Sequence, residues 1–429
     1  MHALVFRLRQ LQWDLASGLL FRPFLIIAGL ATVGELLPLL EAQHPPPDLV
    51  HRWLATEPGS AQVVLGTLAG ATMTVVSVVY SILVVALSLA SVQFSTRIVA
   101  GFLRDPASQR TLGLLVGTFA YALVVLRSVR TDPPFVPELA VAGAIALALA
   151  SLAALVWFIH HIANQIQANT LVDRLATETE AVIDEVFGET PLIEAPVTVP
   201  AIPMITIRAT RSGYLQLADR DRLRALAANG AWVVVARGVG QFVAERAELA
   251  RIGPPERVGP EVVRELHAAF DLGAGRTMQQ DVEWGFRQIV DIALKAISPA
   301  VNDPSTAATC IDHLGRLLIR AAHRHAPARV DRVGDGGVSL PVPTTADLVD
   351  LAFEQLRQYG RADMAVALRL IRAAHDVADA TTDPTVHRRL AAHTRLLDAS
   401  VRAAFPVDDC EELGRRVAAA LAATERVDA

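Results

Sequence analysis

The sequence predicts an α-helical integral membrane domain with four transmembrane helices, followed by a cytoplasmic α+β domain in which a small β subdomain precedes a helical one. Three observations carry this reading. Hydrophobic residues make up 52% of the 429 and charged residues only 19%, with mean hydropathy +0.37; a soluble chain would carry about a quarter charged residues. The deficit is concentrated before residue 164, where four long apolar segments alternate with short polar ones. Beyond it, glycine-punctuated β-branched runs give way to stretches with helical spacing.

The first span, about 19–40, contains FLIIAGLATVGELLPLL (Phe24 to Leu40) behind Arg7, Arg9 and Arg22. It is read as a retained span, since no small-residue cleavage site follows it. A polar stretch with prolines at 45 to 47 separates it from the second span, about 63–92, which lies in a run of 34 residues without a charge, Val63 to Thr96. As a helix that run would reach roughly 50 Å, beyond the ~30 Å hydrocarbon core, so it is expected to cross and project outward. The third span, about 110–127, sits between Arg110 and Arg127. The fourth, about 139–160, is rich in alanine and ends at His160 and His161.

Four spans place both termini on one side. With the N-terminus inside, the inner flanks hold Arg7, Arg9, Arg22, Arg97, Arg104 and Arg110, and the outer loops Arg52, Arg127 and Arg130. That asymmetry favours a bacterial inner-membrane protein with cytoplasmic termini. Residues 164–200 read as a connecting helix (QIQANTLVDRLATETEAVIDEVF, 165–187) and a Pro-rich linker. The β subdomain, 201–257, has strand-like runs at 213–219, 231–240 and 242–252. The helical subdomain, 258–429, is interrupted by a Gly/Pro-rich loop at 326–345.

Small and hydroxyl residues mark the second span. Gly66, Gly70, Thr74, Ser77, Ser81 and Ser88 follow at intervals of 4, 4, 3, 4 and 7, which puts them on one helical face. Gly113, Gly117 and Tyr121 repeat the pattern in the third span. Two readings stand: close helix packing with hydroxyls bonding across, or a polar pathway where several subunits share an axis. Glu35, the one acid inside an apolar span, reads as a residue reaching the outer interface, with Arg127 or Arg130 as partner. His160 and His161 read as interfacial residues, because no acidic or cysteine partner is spaced near them.

The second patterned stretch is QQDVEWGFRQIVDIALKAISPAVNDPSTAATCIDHL, residues 279 to 314. At 100° per residue, Gln280, Trp284, Arg287, Asp291, Lys295 and Ser298 fall on one line, opposite Val282, Phe286, Ile289, Ala293 and Ile297. Lys295 is the only lysine in the chain. Pro299 ends the helix, and a second begins with Asp303 as N-cap and Pro304 at its first position. With Asn302, Ser305 and Thr306, this makes a tight corner. It is either an anion site at a helix N-terminus or a capped corner that packs on a neighbour.

The run DIALKAISPAVNDPSTAATCIDHL resembles the signature of the DUF2254 family of predicted bacterial membrane proteins. The stretches at 91–130, IHHIANQIQ at 159–167 and GYLQ at 213–216 agree, so the resemblance spans nearly the whole chain. Lys295 stands where that family suggests Arg, which keeps the charge and loses bidentate geometry. The resemblance implies a multi-span envelope protein and brings no settled activity.

The remaining features narrow the function classes. A net charge of −5 without a basic domain argues against nucleic acid as the main partner. Cys310 and Cys410 form no ligand-spaced set, so neither a disulfide framework nor a metal site is expected. No nucleophile elbow, HExxH, P-loop or dinucleotide fingerprint stands in a suitable context, and neither a cofactor nor an enzymatic activity is expected. Two functions remain: an oligomeric channel or transport-like protein gated by its cytoplasmic domain, or a membrane-tethered sensor or scaffold that binds an anionic ligand or a partner protein. The bilayer and further copies of the chain are the expected partners.

Overall fold

A computed structural model describes residues 21–44, 54, 56–93, 105–165, 167–188, 198–324, 326 and 329–425, with the side chains at 89–93 and 164–165 set aside. Arg7, Arg9, Arg52, Arg97 and Arg104 of the flanking-charge count, the prolines at 45 to 47 and the linker segment 189–197 lie outside the described residues. The chain divides into two compact units, Met1–Gln167 and Ala168–Ala429.

Four helices build the first unit: α1 (Phe21–Gln43), α2 (Pro58–Gln93), α3 (Pro106–Ser128) and α4 (Glu138–Gln165). All four are long and apolar enough to cross a membrane. The 36 residues of α2 make a rod of about 54 Å at 1.5 Å per residue, so this helix exceeds the bilayer core as its uncharged run suggests. A two-residue hairpin, β1 (Arg130–Thr131) with β2 (Pro134–Phe135), joins α3 to α4.

The bundle is organised around α3, on which α1, α2 and α4 all pack. Its glycines are the reason α1 can come close. A methyl group on Gly113 would stand 2.9 Å from Ile26 and 3.0 Å from the Pro23 backbone, and one on Gly117 2.6 Å from Leu30. Tyr121 is buried and donates to the Ala140 carbonyl at 3.0 Å, while Thr118 and Ser151 share a hydrogen bond at 2.9 Å across α3 and α4. Each such bond satisfies a polar group that hydrocarbon would leave stranded. The start of α4 is capped from another helix: the buried Glu41 carboxylate accepts from the amides of Leu139 and Ala140, two of the four that a helix N-terminus leaves without partners.

The second unit is a mixed helical and sheet structure. A five-stranded sheet runs in the order β3 (Ile205–Arg208), β7 (Glu248–Gly253), β5 (Trp232–Val235), β10 (Gly336–Ser339), β9 (Val330–Val333). A three-stranded antiparallel sheet joins β6 (Phe242–Val243), β4 (Gly213–Ala218) and β8 (Phe270–Gly273). Helices α6 (Arg220–Ala228) and α7 (Pro260–Ala268) cover the larger sheet; Leu223, Ala227 and Leu266 meet Val233, Val235, Ala250, Ile252 and Val338 in one core. The remaining helices are α5 (Ala168–Val186), α8 (Val282–Ala296), α9 (Pro304–Ala322), α10 (Thr345–Gly360), α11 (Met364–Asp379), α12 (Pro384–Arg402) and α13 (Glu411–Glu425).

Several boundaries differ from the local reading of the sequence. The run 242–252 is two strands, β6 and β7, parted by a turn. The stretch 326–345 holds the β9–β10 hairpin as well as loop, and β8 lies within a region read as helical. The reason is that β10 pairs with β5 in parallel, Gly337 opposite Trp232 and Ser339 opposite Val234. A strand that completes a sheet about a hundred residues away need carry no strong local pattern, because burial between neighbours fixes it. Similarly, α5, read as a connector, packs on α8 and α9 within the second unit. Gly285 lets α8 approach it, since a methyl there would lie 2.1 Å from the Thr179 hydroxyl. Arg316 grips Glu180 and Asp173, and Arg320 and Arg324 converge on Asp184.

Candidate functional site

The two glycine-bearing faces of the first unit have different fates. Gly113 and Gly117 are consumed in the α1–α3 contact, whereas Gly66 and Gly70 on α2 have nothing within 4 Å of an added methyl. Thr74, Ser77, Ser81 and Ser88 are exposed on the same side. The hydroxyls of Thr74, Ser77 and Ser81 donate to the carbonyls four residues before them, Gly70, Met73 and Ser77, at 2.9 to 3.1 Å. The bundle instead receives Ala61, Leu65, Ala69, Val79, Leu83 and Ala86 from α2. The stripe therefore faces away from the described helices of its own unit.

At one end of the bundle Glu35 accepts from Arg127 at 2.5 Å, one of the two partners the sequence suggested. Both side chains are exposed. At the other end the expectation for the histidines needs correction. His161 Nε2 lies 3.1 Å from the buried Asp105 carboxylate and its ring stacks on Trp157. Asp105 also accepts from the amide and hydroxyl of Ser108, which makes it the N-cap of α3. Burial pushes its carboxyl up, but the two Ser108 bonds and His161 outweigh that and hold it below the ordinary value. The acid and the histidine are 56 positions apart, so no sequence spacing could pair them.

The second unit disperses most of the polar line read on α8. Gln280 precedes the helix, and its Oε1 accepts from the Ala218 amide at 3.1 Å. Trp284 receives the Arg276 guanidinium over its ring at 5.0 Å. Arg287 donates to Gln355 at 2.6 Å, beside an acidic groove lined by Glu283, Asp347, Asp350 and Glu354. Asp291 is half-buried, Lys295 is exposed, and Ser298 donates to the Lys295 carbonyl. Arg287 thus borders an acidic groove, while Lys295 stands at the surface.

The corner itself is closed by its own atoms. Asn302 takes a positive φ of 50°, a conformation in which Asn is several-fold enriched. Asp303 caps α9, accepting from the Thr306 amide at 3.1 Å and hydroxyl at 2.6 Å. Those bonds hold its carboxyl below the usual range. Ser305 is exposed. A carboxylate already occupies the position where the end of α9 would hold an anion.

A buried charge cluster lies at the other end of α8, and the sequence reading missed it. Asp281 is 3% exposed; it caps α8 through the Trp284 amide at 3.0 Å and accepts two bonds of 2.7 Å from Arg276. Burial pushes the Asp281 carboxyl up, against the opposing pull of Arg276. Gly240, at a φ of 86°, passes so close that a methyl there would lie 2.1 Å from the Asp281 carboxylate. The only signal in the sequence was Asp281 four residues before Gly285 at a helix start, which reads as an ordinary cap. Among the described residues no three His, Cys, Asp or Glu side chains gather as metal ligands would.

Four long apolar helices ahead of a mixed helical and sheet unit define a multi-pass membrane protein. The chain matches the family described as "Predicted membrane protein (DUF2254)" over residues 16–376, and it belongs to that family. An uncharacterised protein of Mycobacterium bovis and another of Mycobacterium tuberculosis are each 34% identical to it over 388 residues, 86% of this chain and 73% of theirs. No solved structure matches the chain.

Proposed function

We propose that this is a bacterial inner-membrane protein with cytoplasmic termini that assembles as a homo-oligomer through α2 and acts, without catalysis, as a channel-like protein gated by its second unit. The observation that carries this is the outward stripe of Gly66, Gly70, Thr74, Ser77, Ser81 and Ser88, unpartnered in its own bundle. Small residues let helices of neighbouring copies approach closely in lipid. Hydroxyls already bonded to their own backbone can face a shared axis without stranding a donor. The length of α2 would carry that axis beyond the bilayer core.

Two measurements test it. In native-state mass spectrometry from detergent, Gly70→Leu should shift the assembly toward monomer and leave helical content unchanged. Purified protein in liposomes should pass small ions, and Ser77→Leu should suppress that flux. A monomeric wild type, or liposomes silent to both cations and anions beside an active control channel, would remove the reading.

A further inference from the structure

Within the second unit, a cleft of about 110 Å³ opens where the end of α5, the first residue of α6 and the first turn of α8 meet residues 340–343. A water molecule needs roughly 10–15 Å³ by this kind of measure, so the space suits about eight to ten non-hydrogen atoms. Its walls are unevenly divided. Leu340, Val342 and Val239 supply an apolar side, and Arg220, Glu185, Glu283 and the Arg276-paired Asp281 supply charge.

The charges surround the cleft without neutralising one another. Arg220 has neither a hydrogen bond nor an ion pair with any described residue, and neither has Glu185. Among the described residues the one ion pair of Glu283 is with Arg276, at 3.9 Å, while Arg276 is committed to Asp281 at 2.7 Å. Burial pushes the Arg220 guanidinium down against the attraction of Asp331, and burial with the nearby Asp281 pushes the Glu283 carboxyl up against Arg276 and Arg287. Elsewhere in this unit arginines pair closely with carboxylates, as Arg316, Arg320 and Arg276 do. Arg220 and Glu283, opposite charges held apart around a half-enclosed space and each partly stripped of water, are poorly satisfied until something bridges them, while Glu185 stays exposed at the rim.

We propose that this cleft binds a small zwitterion of the α-amino-acid class, its carboxylate on Arg220, its ammonium on Glu283 and its apolar body against Leu340 and Val342. An anion alone would meet three carboxylates, Glu185, Asp281 and Glu283, and a cation alone would meet a guanidinium. A molecule carrying both charges answers both. The planar guanidinium offers a paired donor set suited to a carboxylate. This site is separate from the α2 face and from the capped corner at 298–306, and it would hold whether or not the protein conducts ions.

The test is calorimetric titration of the full chain in detergent with glycine, L-alanine, L-valine, L-leucine and L-proline. Isovalerate, which lacks the amine, and isobutylamine, which lacks the carboxylate, accompany them. At least one amino acid should bind saturably below about 10 mM, with each half-molecule at least tenfold weaker. Arg220→Gln and Glu283→Gln should each weaken binding tenfold or more, and Arg220→Lys should retain part of it, with circular dichroism spectra unchanged. Failure of all five amino acids to bind would overturn the assignment, as would equal binding by the half-molecules or unaltered binding in the folded variants.

Discussion

Replacing Asp281 with Ala removes three hydrogen bonds at once. It deletes the cap of α8, since Asp281 accepts from the Trp284 amide; a lost cap costs about 0.5–2 kcal/mol. It strips Arg276 of both 2.7 Å bonds while leaving that guanidinium only 20% exposed. Breaking a buried pair from one side costs about 3–5 kcal/mol, and the residual exposure of Arg276 places this case at the lower end. The terms share a side chain and do not add fully, so about 4 kcal/mol is expected. For a unit of this size that lowers Tm by about 8–16 °C. Thermal unfolding of the full chain in detergent, followed by near-ultraviolet circular dichroism, reads the change. The discriminating partner is Arg276→Met combined with Asp281→Asn, which removes both charges and keeps a capping side chain. It should recover at least half the loss. A loss within 2 °C for Asp281→Ala, or a double variant worse than the single, would refute the account of this cluster.

Three further outcomes follow from the geometry. Gly113→Val forces a branched side chain against Ile26 and the Pro23 backbone, so it should destabilise the detergent-solubilised bundle by about 1–3 kcal/mol; Gly66→Val, with open space around it, should leave monomer stability nearly unchanged. Arg127→Gln breaks an exposed pair with Glu35 worth at most about 1 kcal/mol, and melting should move by less than about 3 °C. Asp184 is held below the ordinary Asp value of 3.8, first by its bonds to Arg320. A depressed folded pKa stabilises the fold above the unfolded value and loses that contribution as pH falls through the folded one. Melting of the second unit should therefore decline more steeply below about pH 4 in the wild type than in Asp184→Asn, and parallel curves would contradict this.

What could be read locally was read well. The four apolar helices, the over-long α2 and the capped turn of Asp303 and Pro304 rest on residues whose signal lies in their own neighbourhood, while the Glu35–Arg127 pair, 92 positions apart, followed from the order of the spans, which puts both at the same end of the bundle. The site residues were less legible. Gln280 and Arg287 share a helical line in the sequence, yet one serves the Ala218 amide and the other Gln355. Spacing gives the direction a side chain leaves its helix and says nothing of what stands opposite.

By itself, then, the sequence determined that this is a four-helix membrane protein with a mixed second unit. Transfer of apolar residues into lipid sums along a contiguous segment, and a cap is made by residues three apart. Only the tertiary structure decided that Gly113 and Gly117 pack inward while Gly66 and Gly70 face out. It alone joined His161 to Asp105, β10 to β5, and Arg220 to the cleft shared with Glu283. Each of those is a choice among many distant partners, made by the packing of whole elements against one another, and no local pattern carries that information.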